Sequence, residues 1–183
     1  MLSEEMKEIC RLFAEVMDYP DRGRTAAATA CALRLQESFP DATEPMRSFA
    51  AFVESQSTGA LEELYAGTFD NTPATTLYVG YHLFGDGAKR SAFLVKLEEA
   101  YLAYGFSHDT ELADHLCVLL RFLSVGRDVG FAIPLLEECM LPIFEKVEEA
   151  LRKTRNPYHQ AARSLRLFLR PVLSEMSKRR MPV

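Results

Sequence analysis

No two cysteines in this sequence stand at the Cys-x-x-Cys spacing. No uninterrupted apolar run approaches the roughly 20 residues that a membrane-spanning helix requires, and alternation of apolar and polar residues at strand length is hard to find. The first absence removes the usual redox and zinc pairs, the second a helical membrane span, and the third a sheet. Cys10, Cys31, Cys117 and Cys139 each fall inside an apolar helical pattern, which reads as buried free thiols in a reducing compartment. An excess of positive charge is missing too: the formal charge is −5 with 26% charged residues. Nucleic-acid binders draw affinity from neutralising phosphates, so that class is disfavoured and a basic partner is favoured. The amino terminus MLSEEMKEIC carries acidic residues where an export signal needs a positive region followed by an apolar run, so a soluble, cytoplasmic protein is expected, with no direct membrane insertion.

Catalytic and metal motifs are scarce as well. His82, His108, His115 and His159 form no His-x-x-x-His and no Cys/His pair at ligand spacing, so neither a metal site nor a cofactor is expected. No Gly-x-Ser-x-Gly turn presents a nucleophile. Gly85-Asp86-Gly87 lacks both a preceding strand and the phosphate-loop spacing and reads as an interhelical turn, with Asp86 as a candidate N-cap.

What the chain does have is helical periodicity. With 183 residues, 48% apolar, and nine glycines and nine prolines mostly between periodic segments, it reads as one all-α domain, a single helical bundle over residues 1–183. Met6, Ile9, Cys10, Phe13, Val16 and Met17 trace the first stripe behind a Ser3 cap. An alanine-rich helix from about Arg24 to Phe39 follows, then one capped near Thr43 that buries Met46, Phe49 and Val53. Phe93 to Tyr104 forms another helix ended by Gly105. A long pattern from Arg127 to Thr154 should be broken at Pro134 and Pro142, and Asn156-Pro157 opens the last helix.

Two stretches stand out. In Leu61 to Phe84, Leu61, Leu64, Tyr65 and Thr68 share one helical face and Leu77, Tyr78, Tyr81 and Phe84 another, with a break at Asp70-Asn71-Thr72-Pro73. Phe69, Leu77 and Phe84 are assigned to the core; Tyr65, Tyr78 and Tyr81 suit either a core with hydrogen-bonded ends or a peptide surface. The second stretch, Asp109 to Val125, reads as one helix with Leu112, Leu116, Leu119, Leu120 and Leu123 inward and Glu111, Asp114 and His115 along a rim. Asp114 and His115 diverge by about 100° on such a helix and so cannot readily form a catalytic dyad.

Leu64-Tyr65, Phe69-Asp70, Pro73, Thr76-Leu77-Tyr78, His82, Gly85-Asp86, Arg90, Glu111-Leu112, Asp114-His115-Leu116 and Phe122-Leu123, in that order and spacing, resemble the nitrate reductase delta-subunit branch of the TorD-like redox-enzyme maturation chaperones. The resemblance implies an all-helical chaperone, not an enzyme. Its partner would be the catalytic subunit of a molybdoenzyme, whose N-terminal segment, often a twin-arginine signal, is held until the molybdenum cofactor is inserted; the molybdenum-cofactor machinery is a further candidate partner. It also implies that Asp114-His115 and the Tyr65 to Tyr78 region contact the client. Ala113 and Cys117 replace the prolines that commonly flank the Asp-His pair, so the helix should start without a proline brake, and Ala88 and Ser91 replace an arginine and a glycine. The expected peptide-binding set is Tyr65, Asp70, Tyr78, Tyr81, His82, Asp86, Glu111, Asp114 and His115. A basic peptide would enter a groove rimmed by Asp70, Asp86, Glu111 and Asp114. A small helical enzyme or a ligand-sensing domain using Asp114, His115 and the tyrosines is the alternative.

Overall fold

The computed structural model describes residues 2–20, 23–108, 111–126 and 129–180, which are helical throughout apart from turns and one isolated antiparallel bridge. α1 spans Glu4–Val16, α2 Arg24–Ser38 and α3 Pro40–Glu54. α4, Thr58–Tyr65, runs into a wider π-type turn at Ala66–Asp70; α5 is Val79–Phe84, α6 Ala88–Ala103 and α7 Leu116–Val125. α8, Val129–Pro134, passes through a second π-type turn, Leu135–Met140, into α9, Leu141–Lys153, and α10 covers Tyr158–Arg180. Helical backbone continues through both prolines: Pro134 ends α8 and Pro142 lies in the first turn of α9, so the break expected there takes the form of the π-type turn between them. Arg127 and Asp109, the expected starts of two helices, lie outside the described residues.

The sequence stripes become the core. All six apolar residues of the first pattern are buried, and the Ser3 hydroxyl accepts the Met6 N–H at 3.2 Å, closing the first turn of α1. α10 packs on α3 and α9, while α1 packs on α2 and α7. Phe168 of α10 is stacked on Phe13 (5.4 Å) and meets the edge of Phe39 (4.9 Å), and Ser164 donates to the Ala42 carbonyl at 2.7 Å. Burying one such phenylalanine is worth about 1.5–3 kcal/mol. Tyr65, Phe69 and Tyr158 form a second aromatic cluster, with Phe69 4.7 Å from Tyr158. It joins the end of α4 to the start of α10, where Asn156 caps Tyr158 N–H through Oδ1 at 2.9 Å and donates to Thr68 at 2.7 Å.

Several local expectations are corrected. Thr43 lies inside α3, where its hydroxyl returns to the Phe39 carbonyl, and the helix opens at Pro40, whose fixed φ suits a first turn. Asp86 does not cap α6; Gly87 occupies that position and Asp86 pairs with Arg90. Phe84 is 42% exposed, its ring lying over Phe93 on the surface, because the buried side of the short α5 is Val79 and Gly80. Leu112 is 50% exposed, because α7 begins only at Leu116: residues 111–115 are an arm built on a separate turn, closed by the His115 N–H on the Leu112 carbonyl at 2.9 Å, and not the helix's first turn. His115 is the N-cap, its Nδ1 accepting the Cys117 N–H at 3.4 Å.

Candidate functional site

The arm before α7 and the segment before α5 are held side by side by their backbones. Val79 N–H donates to the Asp114 carbonyl and Leu116 N–H to the Leu77 carbonyl, each at 2.9 Å, which sets Tyr78 opposite His115. Tyr101, buried in α6, donates its hydroxyl to the Ala113 carbonyl at 2.7 Å and fixes the arm from behind. Asp114, within the turn, is fully buried, while His115, at its end, faces Tyr78, the rings meeting edge to face at 5.0 Å. No hydrogen bond joins Asp114 to His115 among the described residues, so they are no dyad.

Asp114 is answered by Arg90 on α6. Arg90 Nε donates to Oδ2 at 2.8 Å and Nη2 to Oδ1 at 3.3 Å, while Nη1 reaches Asp86 at 2.8 Å. The guanidinium lies 5.3 Å from the Tyr78 ring and 5.9 Å from that of Tyr81, within cation–π range. The hydrogen bond to Asp114 is the largest effect raising the Arg90 pKa. Gly80 makes the close approach possible: a Cβ there would stand 2.5 Å from Asp114 Oδ2. Asp114 is thus an interior support and not part of an acidic rim.

Around this support the surface is concave. A depression of about 300 Å3 is lined by Asp70, Asn71, Pro73, Thr76, Tyr78, Tyr81, Asp86 and Arg90. A second, of about 180 Å3, is lined by Tyr19, Tyr65, Phe69, Asp70, Thr76, Leu77, Tyr78, Glu111 and His115. They share Asp70, Thr76 and Tyr78. Glu111 is common to the second and to a third, of about 340 Å3, among Asp18, Phe106, Ser107, His108, Val118 and Arg121. Tyr78 donates its hydroxyl to Glu111 at 2.5 Å across the middle, so the two walls meet there by side chain as well as backbone. Burial, then that hydrogen bond, raises the Tyr78 pKa, and the phenol stays a donor.

Four carboxylates, Asp18, Asp70, Asp86 and Glu111, line the three depressions against two guanidinium groups. Arg90 is engaged by Asp114 and Asp86, and Arg121 by Asp18. Asp70 and Glu111 have no cationic ion-pair partner among the described residues. Partial burial, reinforced by the Glu111 charge, raises the Asp70 pKa, and burial lowers that of His115. An acceptor-rich, under-neutralised surface of this kind attracts cations.

Eight of the nine expected residues therefore gather here, though in different roles: Asp114 lies behind the surface, and Tyr65, only 5% exposed, forms part of its floor. His82 is the exception. Its Nε2–H donates to the Thr76 carbonyl at 2.7 Å and braces the loop, and it lines none of these depressions. Sequence reasoning missed Tyr19, Thr76 and the role of Arg90. A glycine inside the helical pattern at position 80 was the available signal of close approach. Among the described residues no three His, Cys, Asp or Glu side chains are placed to hold a metal ion, and no helix is long and apolar enough to cross a membrane.

No curated protein matches the chain in sequence. Its fold is similar to the crystal structure of a protein from Archaeoglobus fulgidus proposed to be a redox enzyme maturation protein, with a TM-score of 0.60 and 21% identity over 90% of this chain and 94% of that one. The sequence model of the nitrate reductase delta subunit family matches residues 33–176. These residues take in α3 to α9 and most of α10, with every element that lines the groove except Asp18 and Tyr19, and the chain belongs to the nitrate reductase delta subunit family.

Proposed function

We propose that the chain is a cytoplasmic assembly chaperone that binds the N-terminal segment of a molybdoenzyme catalytic subunit along the groove between the Asp70 to Tyr81 wall and the Glu111 to His115 arm, and holds it until the molybdenum cofactor is inserted. Membership of its family gives it a role in molybdoenzyme maturation and not that of a catalyst. The observation that carries the peptide reading is the groove itself: tyrosine faces beside Asp70 and Glu111, two carboxylates without cationic partners among the described residues. An amphipathic basic segment satisfies both, its apolar side covering the rings and its charges meeting the rim. The enzyme alternative loses support because Asp114, its intended acid or base, is sealed against Arg90.

The experiment is affinity purification from the native cell of the wild-type chain and of Asp70→Asn/Glu111→Gln. A molybdoenzyme catalytic subunit recovered with the first and depleted with the second is the expected result. Equal recovery with both would refute the groove, and recovery of no such subunit would refute the chaperone reading.

A further inference from the structure

The middle depression differs from its neighbours in how its polarity is graded. Its floor is apolar and aromatic: Phe69 is 2% and Leu77 3% exposed, with the Tyr65 ring beside them. Its mouth is charged, with Asp70 exposed and Glu111 half-buried, and Tyr19, 52% exposed, stands against Tyr65 as an outer wall at 5.4 Å. On its flank lies His115, 4% exposed. Its Nδ1 is occupied by the Cys117 N–H, which leaves the proton of the neutral ring on Nε2, and Nε2 has no hydrogen-bond partner among the described residues. A buried donor left open beside a cavity points to an acceptor supplied from outside.

We infer that this depression is an anchor pocket, which takes one apolar side chain of the bound peptide on its aromatic floor while an adjacent basic residue meets Asp70 and Glu111 at the mouth. The inference rests on the peptide-binding reading above and adds the identity of the residue that is read. About 180 Å3 is below the roughly 300 Å3 at which sites for drug-sized ligands begin, and suits a single side chain. A lysine or arginine pushed to the floor would set its charge against Phe69 and Leu77, away from both carboxylates, at the cost of burying an unpaired ion. An apolar residue leaves the floor dry and keeps the neighbouring charge in reach of the rim. The anchor residue's own carbonyl is the acceptor for His115 Nε2–H, which fixes the direction of the backbone past the pocket.

The test is calorimetric titration of a synthetic peptide carrying the amino-terminal segment of a nitrate-reductase-type catalytic subunit, with each position replaced in turn by alanine and by aspartate. One apolar position should lose about 10- to 100-fold on alanine replacement, the worth of burying one medium side chain, and should lose detectable binding on aspartate replacement. A neighbouring basic position should lose less and become insensitive to salt once neutralised. In the protein, Tyr19→Ala opens the pocket wall by removing an exposed ring whose partner Tyr65 keeps its contacts with Phe69 and Tyr158, and His115→Asn keeps a side chain that caps α7 while removing Nε2. Each should weaken the parent peptide by about tenfold. Should His115→Asn fail to fold, Tyr19→Ala alone decides. Peptide binding that persists in the folded variants, or a most sensitive position that is basic, would overturn the anchor pocket and leave the peptide reading standing. Failure of the parent peptide to bind the wild-type chain would remove both.

Discussion

The Asp114–Arg90 pair makes a prediction that exposure alone would get backwards. Asp114 is entirely buried, whereas the Arg90 side chain keeps 13% exposure and has a second partner in Asp86, itself 77% exposed. Removing one member of a buried ion pair costs about 3–5 kcal/mol, because the other is left charged without compensation. Asp114→Ala leaves an arginine that can lean toward the depression and water, so its cost belongs at the lower end, about 3 kcal/mol. Arg90→Met strands a carboxylate with no route to solvent and belongs at the upper end, about 5 kcal/mol. In a chain of this size each kcal/mol moves the melting temperature by about 2–4 °C. The arginine variant should therefore melt some 10–20 °C below wild type and the aspartate variant roughly 6–12 °C below. Arg90→Met/Asp114→Leu should recover most of the loss, since an apolar pair replaces the buried ions without stranding either. Differential scanning calorimetry on the three variants is the assay. An Arg90→Met variant as stable as wild type, or less harmed than Asp114→Ala, would refute the reasoning.

Gly80→Ala brings a Cβ to 2.5 Å from Asp114 Oδ2 and 3.0 Å from Phe93, and should destabilise by about 1–3 kcal/mol in urea unfolding. The loss should shrink in an Asp114→Ala background, because the two positions share one contact. Burial lowers the pKa values of His82 and His115 below the ordinary 6.5, so protonation favours the unfolded chain. Their contribution is fully present above about pH 6.5 and is lost as pH falls below it toward the folded values; unfolding free energy should be lower at about pH 5.5 than at about pH 7.5, with a shallower slope in His82→Gln. Burial pushes the Cys10 thiol up to about 12 and raises that of Cys31 as well, whereas Cys139 is only half-buried. Thiol titration with Ellman's reagent on the native protein, followed by peptide mapping, should find Cys139 labelled first and Cys10 and Cys31 only on denaturation.

The helix faces were legible because they are local. The Met6 to Met17 stripe, the Ser3 cap and the Asn156 cap each depend on residues within a few positions, where periodicity and side-chain chemistry leave a mark in sequence. The site was legible only in outline. Eight of the nine expected residues lie together, but Glu111 to His115 reads as helical by period and is in fact a turn ending in an isolated bridge, where Val79 and Leu77 supply backbone partners from 35 and 39 residues away in the hydrogen bonds Val79 to Asp114 and Leu116 to Leu77. Such pairing uses main-chain atoms and leaves no side-chain signature. The same holds for Asp114: a charged residue in a polar-looking stretch reads as rim, and only the position of Arg90, 24 residues earlier, makes it interior. Phe84 and Leu112 fall outside the core for the related reason that their segments are shorter than their periods suggest.

The proposed function requires that the surface between Tyr78 and Glu111 bind a basic, amphipathic peptide. Isothermal titration of the catalytic-subunit N-terminal peptide into the wild-type chain and into Asp70→Asn/Glu111→Gln measures this directly, because both substituted side chains reach solvent and neither forms an ion pair among the described residues. Saturable binding that weakens with added salt is expected, with a loss of at least about tenfold in the double variant at an unchanged melting temperature. Equal affinity in a double variant that melts with wild type would contradict it.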